Sequence, residues 1–341
     1  MRCPTLAELP APPVGKTGWP WTEETEHLPE KMEDGTTWPR ITIVTASYNR
    51  ADFIEETIRS ILLQGYPDFE YIIIDGASAD GTVDVIKKYE SWLTYWESEP
   101  DRGQSHALNK GLARATGDII TYFSSDDYYL PSTFADVGRH WPLLSQKGYG
   151  AVSGGFYRVD LESKQISQPI PSRIPPNGPH DLTTIPVASW RLHQEATFYA
   201  KHALDYVGRE VLETLLLNAD RELLIRISQN FIILLSGQTY SAFRWDEQSG
   251  TANHKYRFTA TLEYAKLFRS YSHLRDGYGW QRWRVANHLM AKAYQTYAKY
   301  SDKKLKSIGA LLLAFLYRPS FVTNRGYLMT WAIVLGLQAR S

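Results

Sequence analysis

The chain has 341 residues, of which 43% are hydrophobic, enough for one sizeable α/β domain with an appendage. Lysine and arginine together number 37, as do aspartate and glutamate, so no overall positive field attracts the chain to nucleic acid. The single cysteine, Cys3, excludes an internal disulfide framework, and the first residues lack a signal-peptide pattern, so we expect a cytoplasmic protein.

Residues 1–38 are rich in proline and show no sustained helical or strand period, which predicts an extended arm. Its tryptophans, Trp19 and Trp21, are expected to pack on the domain that follows or to contact a partner. No internal repeat is evident anywhere in the chain.

Strands and helices alternate from residue 39 onward. The β-branched run 41–46 predicts a first strand, followed by the polar residues 47–50. Asp52 is the predicted N-cap of a helix, with Glu55 at capping-box spacing, and the helix has an apolar stripe. Residues 69–74 predict a second strand, which ends in Asp75 and Gly76.

A third round of this alternation runs through the short strand at Tyr95 and Trp96, a loop at residues 100–105, and a helix. The apolar run 119–123 predicts the next strand. Such alternation predicts a mainly parallel sheet covered by helices, and sheets of this kind bind ligands beyond the carboxyl ends of their strands. The polar residues expected at that edge are Asp75, Asp101, Arg102, Asp126 and Asp127. Taken singly, each of these residues is also common in ordinary turns, which is the alternative interpretation.

The adjacent acids Asp126 and Asp127 directly follow the apolar run 119–123 and Ser124-Ser125. Two neighbouring carboxylates repel each other, and a divalent cation with oxygen ligands offsets that repulsion and bridges to a diphosphate. The pair therefore predicts a metal site. The alternative is a solvated turn or a helix cap.

These polar blocks, in this order, resemble the signatures of family-2 glycosyltransferases, over about Pro39 to Thr251. They are Thr45-Ala46-Ser47-Tyr48-Asn49-Arg50, Asp75-Gly76 with Ser78 and Asp80-Gly81-Thr82, Asp101-Arg102-Gly103-Gln104-Ser105 through Asn109-Lys110-Gly111, Ala115-Thr116-Gly117-Asp118, and Ser125-Asp126-Asp127. The resemblance implies an α/β fold of GT-A type: a mainly parallel sheet flanked by helices, with a Rossmann-like nucleotide-binding half and a C-terminal helical extension. It divides the chain into an arm (1–38), a catalytic domain (39–251, with halves 39–130 and 131–251) and a helical region (252–341).

The resemblance also gives individual residues roles. It implies that Ala46, Ser47 and Asp75, with Ser78 beside them, contact the base and ribose of a nucleoside diphosphate sugar, with a UDP-sugar favoured. Arg102 matches a basic position beside this donor.

Of the acidic pair, Asp126 matches the carboxylate that faces the ribose and donor sugar. Asp127 matches the principal ligand of Mn²⁺ or Mg²⁺. Ser124 stands where some family members have aspartate, which implies fewer ribose contacts.

Asp220 matches the family's catalytic base, which takes the proton of the attacking hydroxyl. Leu223, Leu224 and Ile227 follow it at helical spacing, so an apolar helix face would anchor the acid. The alternative is that Asp220 caps this helix. One base and one leaving group imply a single displacement and inversion at the anomeric carbon.

The segment 243–251 resembles the family's closing motif, in which a histidine stands two residues after an arginine. Here Arg244 is a predicted phosphate contact, and Asp246 takes the histidine's place as a predicted third metal ligand. A structural loop acid is the alternative for Asp246. His193 is either a structural histidine or part of the acceptor site.

The region beyond Thr251 is predicted to be helical. The apolar runs 308–317 and 327–337 are shorter than the roughly 20 residues that span a bilayer. Basic residues flank them, which is typical of a peripheral membrane contact through residues 300–341 at the inner face of the cell membrane. A helical subdomain on the catalytic core, or a homodimer contact, is the alternative.

We therefore expect an inverting, metal-dependent glycosyltransferase of cell-surface polysaccharide or glycolipid synthesis, with a saccharide or lipid-linked acceptor and no nucleic acid partner. A non-catalytic nucleotide-binding scaffold is the alternative. A nucleotidyltransferase is disfavoured because no glycine-rich, basic triphosphate loop is apparent near residues 41–50. A dehydrogenase is disfavoured because Gly-x-Gly-x-x-Gly does not follow the first strand.

Overall fold

Four parallel strands form one half of the sheet, as the alternation predicts. The computed structural model describes residues 1–174, 191–245, 254–271, 279–301, 304–320 and 325–335. The parallel strands are β1 (Ile41–Ser47), β2 (Phe69–Asp75), β3 (Tyr95–Ser98) and β4 (Ile119–Ser124). Every residue of β1 and β2 is buried, because helices cover both faces of the sheet.

Helices connect these strands: α1 (Ile54–Leu62), α2 (Thr82–Lys88) and α3 (Gln104–Arg114). The N-cap predicted at Asp52 is wrong. Phe53 occupies the position before α1, and no side chain caps the helix. The backbone N–H groups of Phe53 and Ile54 both donate to the carbonyl of Arg50, at 3.0 and 2.9 Å, so a turn that begins at Arg50 sets the start of the helix.

The second half of the sheet is mixed. It contains β5 (Tyr128–Tyr129), β6 (Tyr149–Val159), β7 (Thr197–Ala200) and β8 (Ile232–Arg244), with helices α4 (Thr133–Arg139), α5 (Trp141–Leu144), α6 (Lys201–Val207) and α7 (Ala219–Asn230). Within the described residues the strand order is β3-β2-β1-β4-β7-β6-β8-β5. Because β5 pairs antiparallel with β8, Tyr128 lies opposite Ala242, and the end of β8 returns to the acidic pair.

A buried arginine of α1 binds the segment 1–38. Arg59 is fully buried, and its guanidinium donates to the carbonyls of Pro10, Pro20 and Trp21 at 2.8 to 3.0 Å. Trp19 donates its indole N–H to the carbonyl of Tyr129 at 2.7 Å. The segment is therefore tied to α1 and to the strand that follows the acidic pair.

The chain divides into two compact units. One comprises Met1–Leu182, Val187–Glu213 and Leu223–Trp245, and the other Thr183–Pro186, Thr214–Glu222 and Asp246–Ser341. The second contains α8 (His254–Ser270), α9 (Gly279–Tyr300), α10 (Lys304–Tyr317) and α11 (Arg325–Leu335). None of the helices in the described residues has the length and hydropathy needed to cross a bilayer.

Candidate active site

The polar ends of the parallel strands lie side by side. In the register of the sheet, Ser47 pairs with Asp75, Asp75 pairs with Ser98, and Ala46 pairs with Ser124. The predicted base and ribose contacts thus come from adjacent strands. This follows from parallel pairing, which places carboxyl ends at one edge of the sheet.

Asp75 is fully buried at this edge and organises the loop after β2. Its Oδ1 accepts from the Ser78 hydroxyl at 2.5 Å, and its Oδ2 accepts from the Ser78 N–H at 2.8 Å and the Ser98 hydroxyl at 2.7 Å. An ionised carboxylate has about four acceptor positions, so three of them are filled here. The hydroxyl of neighbouring Ser47 is buried and has no hydrogen-bond partner in the described part of the chain.

The loops after β1 and β2 are joined by reciprocal hydrogen bonds. Asn49 donates its N–H to the Ser78 hydroxyl at 2.8 Å, and its side-chain carbonyl accepts from the Ala79 N–H at 3.0 Å. Asn49 adopts φ +50°, a left-handed conformation that asparagine tolerates better than most residues. At Gly76 an added Cβ would lie 2.7 Å from the Asp101 carboxylate, so Asp101 approaches the same loop.

Asp127 is the most unusual residue at this edge. Its side chain is buried, with 1% of the residue exposed. Oδ1 accepts from the Arg244 backbone N–H at 2.7 Å, whereas Oδ2 has no hydrogen-bond partner within the described residues. Burial raises the pKa of Asp127 well above its ordinary value, and the charges of Asp126 and Glu195 raise it further.

Asp126 faces more water than its neighbour. Its side chain is 35% exposed and accepts from Arg50 Nε at 3.3 Å. An exposed pair of this kind contributes about 0 to 1 kcal/mol, so a ligand can displace the arginine at little cost. The two adjacent acids therefore differ: one is deeply buried, and the other is accessible.

Arg244 is buried and holds the acidic loop in place. Its Nε donates to the carbonyl of Asp126 at 2.8 Å, and its Nη2 donates to Glu56 at 2.7 Å. Nη1 lies 3.0 Å from three acceptors, in Asp160, Leu161 and Ser163. A phosphate contact through this guanidinium would require these bonds to be given up.

The residues present fit a divalent cation at Asp127. A buried carboxylate oxygen without a partner, beside two further acids, is stabilised by a hard cation with oxygen ligands. Across the described residues, however, no group of three or more His, Cys, Asp or Glu side chains forms a metal site by itself. Asp246, the predicted third ligand, lies outside the described residues.

Asp220, the predicted base, lies in the first turn of α7 and is partly buried. Burial raises its pKa, and the neighbouring Arg221 opposes that rise. The helix begins at Ala219, so Asp220 lies one residue inside the first turn. Asn218, directly before the helix, donates its side-chain amide to the carbonyl of Ala260 at 2.9 Å.

Two other predicted positions have clear partners. Arg102 forms an exposed two-point ion pair with Glu213, at 2.9 and 3.1 Å. His193 packs its ring on Phe156, with centroids 3.9 Å apart. Both contacts lie in the first unit.

Sequence reasoning assigned no role to Glu56 or Glu195, although both act on the acidic pair. Glu56 is buried on α1 and binds a guanidinium 188 residues away. The only sequence signal was an acid within the apolar stripe of a helix. Glu195 precedes β7, and nothing in the chain order connects it with Asp127.

Residues 42–201 match the sequence model of Glycosyl transferase family 2. An uncharacterized glycosyltransferase of Mycobacterium tuberculosis is 37% identical over 123 residues, which cover 36% of this chain and 46% of that protein. The chain thus spans about half the length of this curated relative.

Two solved structures share the fold. S. aureus TarS in complex with UDP-GlcNAc aligns with a TM-score of 0.58 and 16% identity, covering 83% of this chain and 82% of that one. The mannosyltransferase PcManGT of Pyrobaculum calidifontis, in complex with GDP-Man and Mn²⁺, aligns with a TM-score of 0.53 and 21% identity, covering 92% and 90%. The predicted GT-A fold is confirmed.

Proposed function

We propose that the protein transfers a sugar from a nucleoside diphosphate sugar to a hydroxyl acceptor, because residues 42–201 match the sequence model of Glycosyl transferase family 2. The observation that carries the proposal is the environment of one carboxylate oxygen of Asp127. Its buried Oδ2 lacks a partner in the described residues, at the strand edge where α/β sheets bind ligands. Such an oxygen suits a cation that also binds a diphosphate.

The nucleotide lies against the ends of β1 and β2 in this proposal. Ala46, Ser47 and Asp75 contact the base and ribose, with Ser78 fixing the Asp75 carboxylate. The support is that Asp75 is held rigidly by three hydrogen bonds yet keeps an acceptor position, and that Ser47 offers a buried hydroxyl without a partner in the described residues. UDP is the favoured nucleotide.

Asp127 would be the principal ligand of Mn²⁺ or Mg²⁺ in this proposal, and Asp246, which lies outside the described residues, stays a prediction from the sequence for a further ligand. When bound, the metal acts as a Lewis acid that takes up charge on the departing diphosphate. Asp126 faces the ribose and donor sugar, and Arg244 keeps the Asp126 carbonyl and the Asp127 carboxylate in fixed positions.

The two arginines of the site, Arg102 and Arg244, have different roles in this proposal. The Arg102 pair with Glu213 is exposed, so it contributes about 0 to 1 kcal/mol and can be exchanged for a diphosphate contact. The Arg244 pair with Glu56 is buried, and breaking it costs about 3 to 5 kcal/mol. We therefore assign the phosphate contact to Arg102 and a supporting role to Arg244.

Asp220 is the general base in this proposal. Burial raises its pKa, which makes the ionised carboxylate a stronger proton acceptor for the acceptor hydroxyl. The proton leaves late, as the hydroxyl oxygen bonds to the anomeric carbon. A single displacement with the base opposite the leaving group inverts the anomeric carbon. In this proposal the acceptor is a saccharide or a lipid-linked molecule of the cell surface.

A thermal-shift screen with UDP, GDP, CDP and dTDP, each with and without Mn²⁺, tests the proposal. A ligand at about 100 times its dissociation constant stabilises the folded state by about 2.7 kcal/mol. We expect one nucleotide to raise the melting temperature only when metal is present. No shift with any nucleotide would remove the main support for the transferase. Metal-dependent binding without turnover on any acceptor would instead favour a nucleotide-binding scaffold.

A further inference from the structure

One side of α10 is apolar where it faces solvent. Five residues at helical spacing are exposed on it: Leu305, Gly309, Leu312, Leu313 and Leu316, here called the leucine face. Leu305 is 86% exposed, and Leu316 is 71% exposed. A helix on the surface of a globular domain places polar residues on its outer side, so this face departs from the usual pattern.

The opposite side of α10 already has its packing partners. Ala310, Leu311 and Ala314 are buried in a cluster with Ala291 of α9 and Tyr327 of α11. The Tyr327 hydroxyl donates to the carbonyl of Leu311 at 2.7 Å. The leucine face is therefore a second apolar surface, and the helices of its own unit pack on the other side.

The neighbouring helix α11 also exposes large apolar side chains. Leu328, Met329 and Leu335 are each between 44% and 51% exposed. Large clustered apolar surfaces of this kind mark sites of association with a protein or a membrane.

The charge of this region favours an anionic partner. From Lys303 to Ser341 the sequence has six lysine or arginine residues and no aspartate or glutamate, whereas the whole chain has a formal net charge of zero. Lys306 is exposed beside the leucine face. A basic, acid-free segment around exposed leucines matches a surface with negative headgroups over an apolar interior.

We propose that the leucine face of α10 lies on an anionic lipid surface. The 14 residues of α10 extend about 21 Å, which is too short to cross a hydrocarbon core of about 30 Å, so the helix lies in the plane of the membrane. A second copy of the chain fits less well, because a symmetric dimer would bring two basic segments together. This inference uses no residue of the proposed active site.

Vesicle flotation of the full chain tests the proposal. Vesicles of phosphatidylcholine with about one third phosphatidylglycerol are compared with vesicles of phosphatidylcholine alone, without nucleotide or metal. We expect binding to the anionic vesicles that weakens as salt is raised. Equal binding to both vesicle types, or to neither, would overturn the proposal.

Substitutions test whether the leucine face is the surface that binds the vesicles. Leu312→Gln with Leu316→Gln should lower the partition coefficient at least about tenfold, because two leucines leave the apolar layer. Lys306→Gln should lower it about fivefold. The matched control is Leu143→Gln with Leu161→Gln, two exposed leucines of the first unit, which should change nothing.

Sedimentation velocity and thermal melting accompany these assays. If the Leu312 and Leu316 substitutions abolish a dimer and leave vesicle binding unchanged, the face binds a second copy and the proposal is wrong. If they lower the melting temperature, Lys306→Gln, on an exposed side chain, provides the independent test. Nucleotide-dependent stabilisation reports separately on the proposed function.

Discussion

At the end of β8, the backbone of Arg244 contacts the side chain of Asp127. The Arg244 N–H donates to Asp127 Oδ1 at 2.7 Å, while its guanidinium donates to the carbonyl of Asp126 at 2.8 Å. One residue thereby fixes both members of the acidic pair. The Oδ2 of Asp127 is left without a hydrogen-bond partner in the described residues.

Arg244→Met is expected to lower the free energy of unfolding by about 3 to 5 kcal/mol, because it leaves the Glu56 carboxylate buried without its cation. Urea unfolding measures the change. The double substitution with Glu56→Gln should recover part of the loss. Arg139→Met, at an exposed position of α4, is the control. A loss below about 0.5 kcal/mol would contradict a structural role for Arg244.

Asp127→Asn is expected to stabilise the metal-free protein at neutral pH, by about 1 to 3 kcal/mol, and to abolish stabilisation by nucleotide with Mn²⁺. The folded pKa of Asp127 is raised by burial and by Asp126 and Glu195, so its ionised form opposes folding. That penalty is absent below the unfolded pKa, near 3.9, and is complete above the folded pKa. The gain should therefore disappear in acid. Asp52→Asn, at an exposed position, is the control, and an equal gain there would contradict the prediction.

Glu70→Gln is expected to lower the free energy of unfolding by about 2 kcal/mol at pH 7. Burial raises the pKa of Glu70, but hydrogen bonds from Thr116 and Thr42 outweigh it and hold the pKa below its ordinary value. Stability from such a carboxylate is present above the unfolded pKa, near 4.3, and is lost as pH falls through the folded pKa.

Unfolding of both proteins from pH 7 to pH 3 checks the Glu70 prediction. The curves for the parent chain and Glu70→Gln should converge in acid. Glu90→Gln, at an exposed position, should leave the curve unchanged throughout. A gap that persists at pH 3 would show that the substitution acts by repacking rather than by charge.

Asp220→Asn is expected to lower kcat by about 10² to 10⁴, the usual range for a general base, while nucleotide binding stays intact. Steady-state turnover of the donor and the thermal shift with nucleotide separate the two effects. Asp205→Asn, on the surface of α6 beside Lys201 and Arg209, is the control. Turnover within about threefold of the parent chain would assign the base to another residue.

Local sequence patterns determined the strands and helices of the first half. The β-branched run of β1 is buried along its whole length, and the polar residues after β1, β2 and β4 lie at one edge, since parallel strands end together. Hydrophobic periodicity and turn-forming residues depend on only a few neighbouring positions, so they can be recognised in the sequence before the fold is known. The capping prediction at Asp52 failed because a backbone turn at Arg50 determined where α1 begins.

The tertiary structure decided which charged side chains near the acidic pair are available to a ligand. Arg50 and Arg244 both approach the acidic pair, but only the Arg50 pair is exposed enough to exchange with a ligand, because Arg244 is enclosed by Glu56 and three backbone carbonyls. Contacts such as that between Glu56 and Arg244 join residues 188 positions apart. The sequence by itself determined the local elements and the order of the motifs. Burial and long-range pairing arise only when distant segments pack together. They left Oδ2 of Asp127 without a hydrogen-bond partner among the described residues and enclosed Arg244 in buried contacts.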